Sequence, residues 1–155
     1  VARRLVHRRG APAPQCVRSR SRLGAIDRFT FGTGIGPPVP YMITHVAQRR
    51  PLQGSNERAA LESALARPLN RYQYEGCEDL LELAATYAAG LSGNHPFIDG
   101  NKRVAFVAMG QFLDDNGLRL IATDEDATAT MLSLASGGLD IQGLTAWLKG
   151  VVEPI

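Results

Sequence analysis

Nine consecutive residues, His95-Pro96-Phe97-Ile98-Asp99-Gly100-Asn101-Lys102-Arg103, concentrate the reactive chemistry of this 155-residue chain. Imidazole is the side chain best suited to general-base work near neutral pH, which makes His95 the candidate proton acceptor. Asp99 offers a hard oxygen donor, and Mg²⁺ is commonly held by one or two carboxylates together with substrate phosphates. Gly100-Asn101 opens a helical pattern, so unpaired N–H groups and the positive end of the helix dipole face the loop. Such a helix start attracts anions before any side chain is counted. Lys102 and Arg103 add a compact ammonium and a bidentate guanidinium beside it. A base, a metal carboxylate and a phosphate cradle are the parts needed to move a phosphorus-containing group onto a hydroxyl. Each residue also has a plainer use: His95 as a cap or loop histidine, Asp99 as a helix cap, Lys102 and Arg103 as solvated charges. Phe97 reads as a buried anchor and Pro96 as a stiffener of the loop. The joint order, not any single residue, carries the chemical reading.

The elements that must position this loop read as helices. Asn56 is a good N-cap, Ala60, Leu61, Ala64 and Leu65 share one face, and Pro68 is expected to stop that helix. Asn70–Gly76 reads as a polar connection. Asp79 caps a second helix with an apolar stripe of Leu80, Leu83, Ala84, Tyr87, Ala88 and Leu91, ending near Gly90–Gly93. After the loop, Asn101–Asn116 is apolar on nearly every side, which predicts a helix buried at the centre. Asn116-Gly117 is its stop signal. Thr123 caps an acidic turn that leads to Met131, Leu134 and Ala135, and the pattern ends at Gly137-Gly138. Asp140 caps the last helix, with Leu139 and Leu144 spaced as a hydrophobic staple and Trp147-Leu148 as anchors. About five helices with almost no strand pattern predict an all-α fold, a compact bundle around a buried central helix with an irregular N-terminal extension.

Composition divides the chain in two. Through Arg58 eleven arginines stand against two acids, whereas from Ala59 onward six basic residues stand against thirteen acids, so the overall +2 hides a strong asymmetry. Residues 1–53 carry arginine pairs, scattered prolines and a Gly32-x-Gly34-x-Gly36 run that lacks phosphate-loop spacing. They read as a basic, poorly ordered segment, with only Tyr41–Gln48 able to form a short element. Clustered arginines can neutralise nucleic-acid phosphates, so a binding module led by this tail is the reading of another class. A solvated tail, a start placed upstream of the true one or a shifted reading frame would give the same composition. Residues 54–155 form the expected folded domain. No apolar run approaches the roughly 20 residues that span a bilayer, and no secretory pattern opens the chain, so a cytoplasmic location is expected. Cys16 and Cys77 stand far apart with neither CxxC nor paired histidine spacing, which argues against a disulfide scaffold and a zinc module.

The run His95 to Ala105 resembles the signature of the Fic/Doc (Fido) superfamily in its death-on-curing (Doc) branch. The resemblance extends over Leu61–Pro68 before it and over Phe112-Leu113, Asn116-Gly117 and the Trp147-Leu148 helix after it, roughly Gly54 to Gly150. It implies an all-helical Fido fold and the toxin of a toxin–antitoxin pair, restrained by a small cognate antitoxin. Doc-type members are kinases that use ATP to phosphorylate a threonine of elongation factor Tu, whereas most other Fic members transfer AMP to a hydroxyl. By position, catalytic His95 would be the base and Asp99 the metal or phosphate-orienting carboxylate. Gly100, Asn101, Lys102 and Arg103 would hold phosphates, with Lys102 and Arg103 also acting in catalysis, and Phe97 would anchor the loop. AMP-transferring members usually carry G-N-G-R followed three positions later by another arginine. Here Lys102 replaces that glycine and Phe106 the second arginine, which favours phosphate transfer, although Gly100 restores the D-G-N of AMP transferases. Val104 stands where Doc members commonly have threonine.

Overall fold

The computed structural model describes residues 55–155. The basic segment to residue 53, its Gly32-x-Gly34-x-Gly36 run and the Tyr41–Gln48 element lie outside the described residues. The described chain forms α1 (Ser55–Glu75), α2 (Leu80–Asn94), α3 (Asn101–Asp115), β1 (Leu118–Leu120), α4 (Asp124–Ala135), α5 (Ile141–Val151) and β2 (Val152–Pro154). The fold is all-α, as expected. Among the described residues no helix is long and apolar enough to cross a membrane.

Short-range capping chemistry sets most boundaries. The Asp79 carboxylate accepts from the Leu81 N–H at 2.9 Å, Thr123 Oγ1 from the Asp126 N–H at 3.3 Å and Asp140 Oδ1 from the Gly143 N–H at 2.7 Å. Each satisfies a donor that the first helical turn leaves unpaired. Asn116 follows α3 as its C-cap, and Gly117 takes φ 77° to turn the chain. Asn56 does not cap α1: the helix already includes Ser55, which puts Asn56 inside the first turn.

Pro68 does not stop α1, which runs on to Glu75. A proline inside a helix removes one N–H, here the partner of the Ala64 carbonyl, and costs about 3 kcal/mol in isolation. Tertiary contacts offset that cost. Pro68 is fully buried, and three residues on Arg71 reaches α2, bonding Glu82 Oε1 at 2.5 Å and Thr86 Oγ1 at 3.2 Å. The turn expected at Asn70–Gly76 is therefore helical until Gly76, where φ 65° lets the Cys77 N–H close back on the Arg71 carbonyl at 3.1 Å.

The central helix is α2, not the Asn101–Asn116 helix. It touches all four other helices and buries Leu83, Ala84, Ala85, Thr86, Tyr87, Ala88, Gly90, Leu91 and Ser92. Small residues make this closeness feasible: a Cβ on Gly90 would stand 3.2 Å from the Ala64 carbonyl oxygen of α1. By contrast α3 buries one face, Ala105, Ala108, Met109, Phe112 and Leu113, and leaves Val107 48% exposed. Tyr87 of α2 and Phe112 of α3 meet with ring centres 5.3 Å apart and tilted by 50°, a favourable aromatic geometry. A two-stranded antiparallel sheet, absent from the sequence pattern, pairs Leu118 with Pro154, Arg119 with Glu153 and Leu120 with Val152. It fastens the end of the chain beside the exit of α3.

Candidate active site

The loop His95–Gly100 joins the end of the central helix to the start of α3. Its backbone is unusual from the first residue. His95 closes α2 with φ 46° and ψ 52°, and among the described residues it is the only non-glycine with positive φ. A side chain in that left-handed region costs on the order of 1–2 kcal/mol, so neighbouring structure must hold it there. The adjoining Pro96 is fully buried and Phe97 is 5% exposed, which pins the loop to the core. Phe97 belongs to the hydrophobic core.

Asn101 closes the loop. Its Oδ1 accepts from the Phe97 N–H at 2.9 Å and its Nδ2 donates to the Phe97 carbonyl at 2.6 Å. Both ends of the amide are thereby engaged with backbone, so the side chain expected to grip phosphate shapes the loop. Asp99 Oδ1 accepts from the Gly100 N–H at 2.6 Å. Gly100, at φ 83°, precedes α3 without contributing a side-chain cap. The first-turn N–H groups of α3 therefore face outward beside Lys102 and Arg103, both exposed.

His95, Asp99, Gly100, Asn101, Lys102 and Arg103 all line one groove of about 790 Å³. Its other wall was not legible in the sequence: Asp124, Ala127, Thr128, Met131, Leu132 and Ala135 of α4, with Phe106 of α3 between. Periodicity marked α4 as an amphipathic helix but gave no sign that it faces the loop. Trp147 Nε1 on α5 donates to Asp126 Oδ2 at 2.8 Å and so braces the first turn of that wall. Apolar Ile98 and Leu132, 72% and 51% exposed, stand on opposite sides of the groove. A larger groove of about 1050 Å³ elsewhere contains none of the loop residues. Its main cation is already committed: burial alone would lower the Arg71 pKa, but the Glu82 and Glu75 carboxylates raise it above the ordinary arginine value.

The donor set at the loop fits a metal of one kind. Among the described residues no three His, Cys, Asp or Glu side chains converge into a metal cage. One exposed carboxylate, Asp99, stands beside an amide-lined helix start. That suits Mg²⁺, which keeps waters and completes its shell from substrate phosphates, better than a structural cation.

Known proteins share this arrangement in sequence. The Fic/DOC family model matches residues 34–113, beginning inside the basic segment and taking in the whole loop. Protein kinase doc of Escherichia phage P1 is 31% identical over 98 residues, 63% of this chain and 77% of the phage protein. Toxin Doc of Mycolicibacterium smegmatis is 34% identical over 93 residues, 58% of this chain and 72% of that protein. With its His95–Arg103 run spanning the loop between two packed helices and the start of the second, and half its length matched, the chain belongs to the Fic/DOC family, in the Doc branch.

Proposed function

We propose that this protein is the toxin of a toxin–antitoxin pair and a protein kinase, transferring the γ-phosphate of ATP to a hydroxyl of elongation factor Tu. The observation that carries the reading is the shared groove: His95 stands on the same wall as the amide start of α3 with Lys102 and Arg103. A base and a phosphate site in one cleft are what in-line phosphoryl transfer requires. The His95 imidazole takes the proton of the acceptor hydroxyl, whose oxygen bonds to the γ-phosphorus as the bond to the β–γ bridging oxygen breaks. ADP leaves, and the imidazole proton passes to solvent. Lys102, Arg103 and the α3 amides bind and orient the phosphates, lowering the repulsion that the entering oxygen meets. Asp99 would hold Mg²⁺, which when bound neutralises charge on the phosphates. Phe106 on the groove wall supports phosphate over AMP transfer, because an aromatic ring stands where AMP-transferring relatives carry a second arginine.

The names of two relatives, a protein kinase doc and a toxin Doc, favour the same reading. A small antitoxin, binding by coupled folding, is the partner it implies. The test is incubation with purified elongation factor Tu, Mg²⁺ and ATP labelled at either the α or the γ position. Label is expected from γ-labelled ATP alone, and His95→Ala is expected to abolish it. Label from the α position would establish AMP transfer instead. Undiminished transfer by the His95 variant would end the mechanism.

A further inference from the structure

Asn94 lies outside the His95–Arg103 run, and nothing in its spacing marks it as special. It is the last residue of α2, directly before His95. Its side chain turns back to α1: Nδ2 donates to the Ala60 carbonyl at 2.9 Å, and Oδ1 accepts from Arg67 Nη2 at 2.9 Å. One small amide thus ties the end of the central helix to two points of its neighbour about two turns apart. Helix ends otherwise fray, because their last carbonyls lack intrahelical partners.

The bridge sits beside a strained residue. His95 adopts a left-handed backbone, which costs a non-glycine residue energy that the surrounding structure must offset. Downstream, Asn101 grips Phe97 and the buried Pro96 fixes the chain between. Upstream, Leu91 and Ser92 are buried, and the Asn94 bridge is the side-chain link at the residue directly before His95. Without it the last turn of α2 can unwind and His95 can relax to ordinary dihedrals, which swings the imidazole along the groove wall. The phosphate-holding groups, set by the start of α3, would stay where they are.

We infer that Asn94 is a positioning residue for His95, latching the end of α2 to α1 so that the imidazole faces the amide start of α3. Its catalytic consequence rests on the transfer reading above; its backbone consequence does not. The test uses the full chain with Asn94→Ala and two readouts. The first is the ¹³Cα and ¹³Cβ shift of His95 in histidine-labelled protein, assigned with His95→Gln, which reports the left-handed backbone. The second is steady-state transfer to elongation factor Tu. The left-handed signature is expected to vanish, and kcat to fall about 10- to 100-fold, the scale of a 1 Å misplacement. KM for ATP is expected to stay within about twofold, because Lys102 and Arg103 are untouched. An unchanged His95 signal in folded Asn94→Ala overturns the inference, whether or not kcat falls, since a fall alone would assign Asn94 to stability. Should that variant fail to fold, Asn94→Asp keeps the Arg67 partner, loses the donor to Ala60 and carries the same readouts. If wild-type protein transfers neither phosphate nor AMP, the functional reading fails, and the His95 shifts judge the latch alone.

Discussion

Replacing Asn101 by alanine separates the loop-closing role seen in the structure from the phosphate-holding role that the family resemblance implies. The amide makes two hydrogen bonds to Phe97 backbone, at 2.9 Å and 2.6 Å. After Asn101→Ala the molecule has two responses. It can leave the Phe97 N–H and carbonyl unpaired beside a core side chain that is 5% exposed, at about 1–3 kcal/mol for each group. Alternatively it can release the loop to water and withdraw Phe97 from the core, which costs on the scale of a Phe→Ala change, about 3–5 kcal/mol. It takes the cheaper course, so the expected loss is about 2–5 kcal/mol. Against a total near 5–15 kcal/mol this is severe, and for a domain of this size it lowers Tm by roughly 10–25 °C. Urea unfolding followed by far-ultraviolet circular dichroism and by fluorescence of Trp147, the single tryptophan, measures it; coincident curves justify a two-state treatment. A loss below about 0.5 kcal/mol accompanied by abolished ATP binding would refute the reasoning. That outcome would give the amide to phosphate rather than to the loop.

Three further outcomes rest on particular contacts. Burial pushes the Tyr87 hydroxyl up to about 12 from an ordinary 10.0, so the folded state keeps a proton that the unfolded chain releases. Its contribution to stability is whole below pH 10 and declines from there to about pH 12, by about 1.4 kcal/mol per unit. Tyr87→Phe should remove this alkaline decline, and identical pH slopes for variant and wild type in urea titrations would contradict it. Gly90→Val forces a branched side chain where even a Cβ meets the Ala64 oxygen at 3.2 Å. It should cost about 1–3 kcal/mol by overpacking, and a thermal melt unchanged from wild type would show that the helices can part. Lys102→Ala and Arg103→Ala should each weaken ATP binding about tenfold, or about 1.4 kcal/mol, with a shallower salt dependence by calorimetry. Unaltered affinity in both would remove these cations from the phosphate site.

Local features of this fold were legible because their physics is local. Asp79, Thr123 and Asp140 cap helices from a few residues away, so composition and spacing suffice to find them. Asn116-Gly117 ends α3 by backbone geometry that glycine alone adopts freely. The loop residues that line the groove were found as one ordered run, because backbone continuity keeps nine adjacent residues together. Apart from the Asn56 cap, which misplaced a helix start, the expectations that failed depend on distance. Pro68 breaks an isolated helix, but here Arg71 and the buried interface carry α1 through it. Apolar content suggested α3 as the centre, yet alanine and glycine on α2 let four helices approach it.

From the sequence alone come the helical class, most of the caps and the ordered run of imidazole, carboxylate and cations, since each is written in short-range spacing. Tertiary structure alone decided that α2 is central, that α4 forms the opposing wall, and that β1 and β2 pair across 31 intervening residues between Leu120 and Val152. It also decided that Asn94 reaches Ala60 and Arg67. Such contacts depend on which apolar faces bury one another, and that is settled by packing the whole domain at once rather than by any window of the chain.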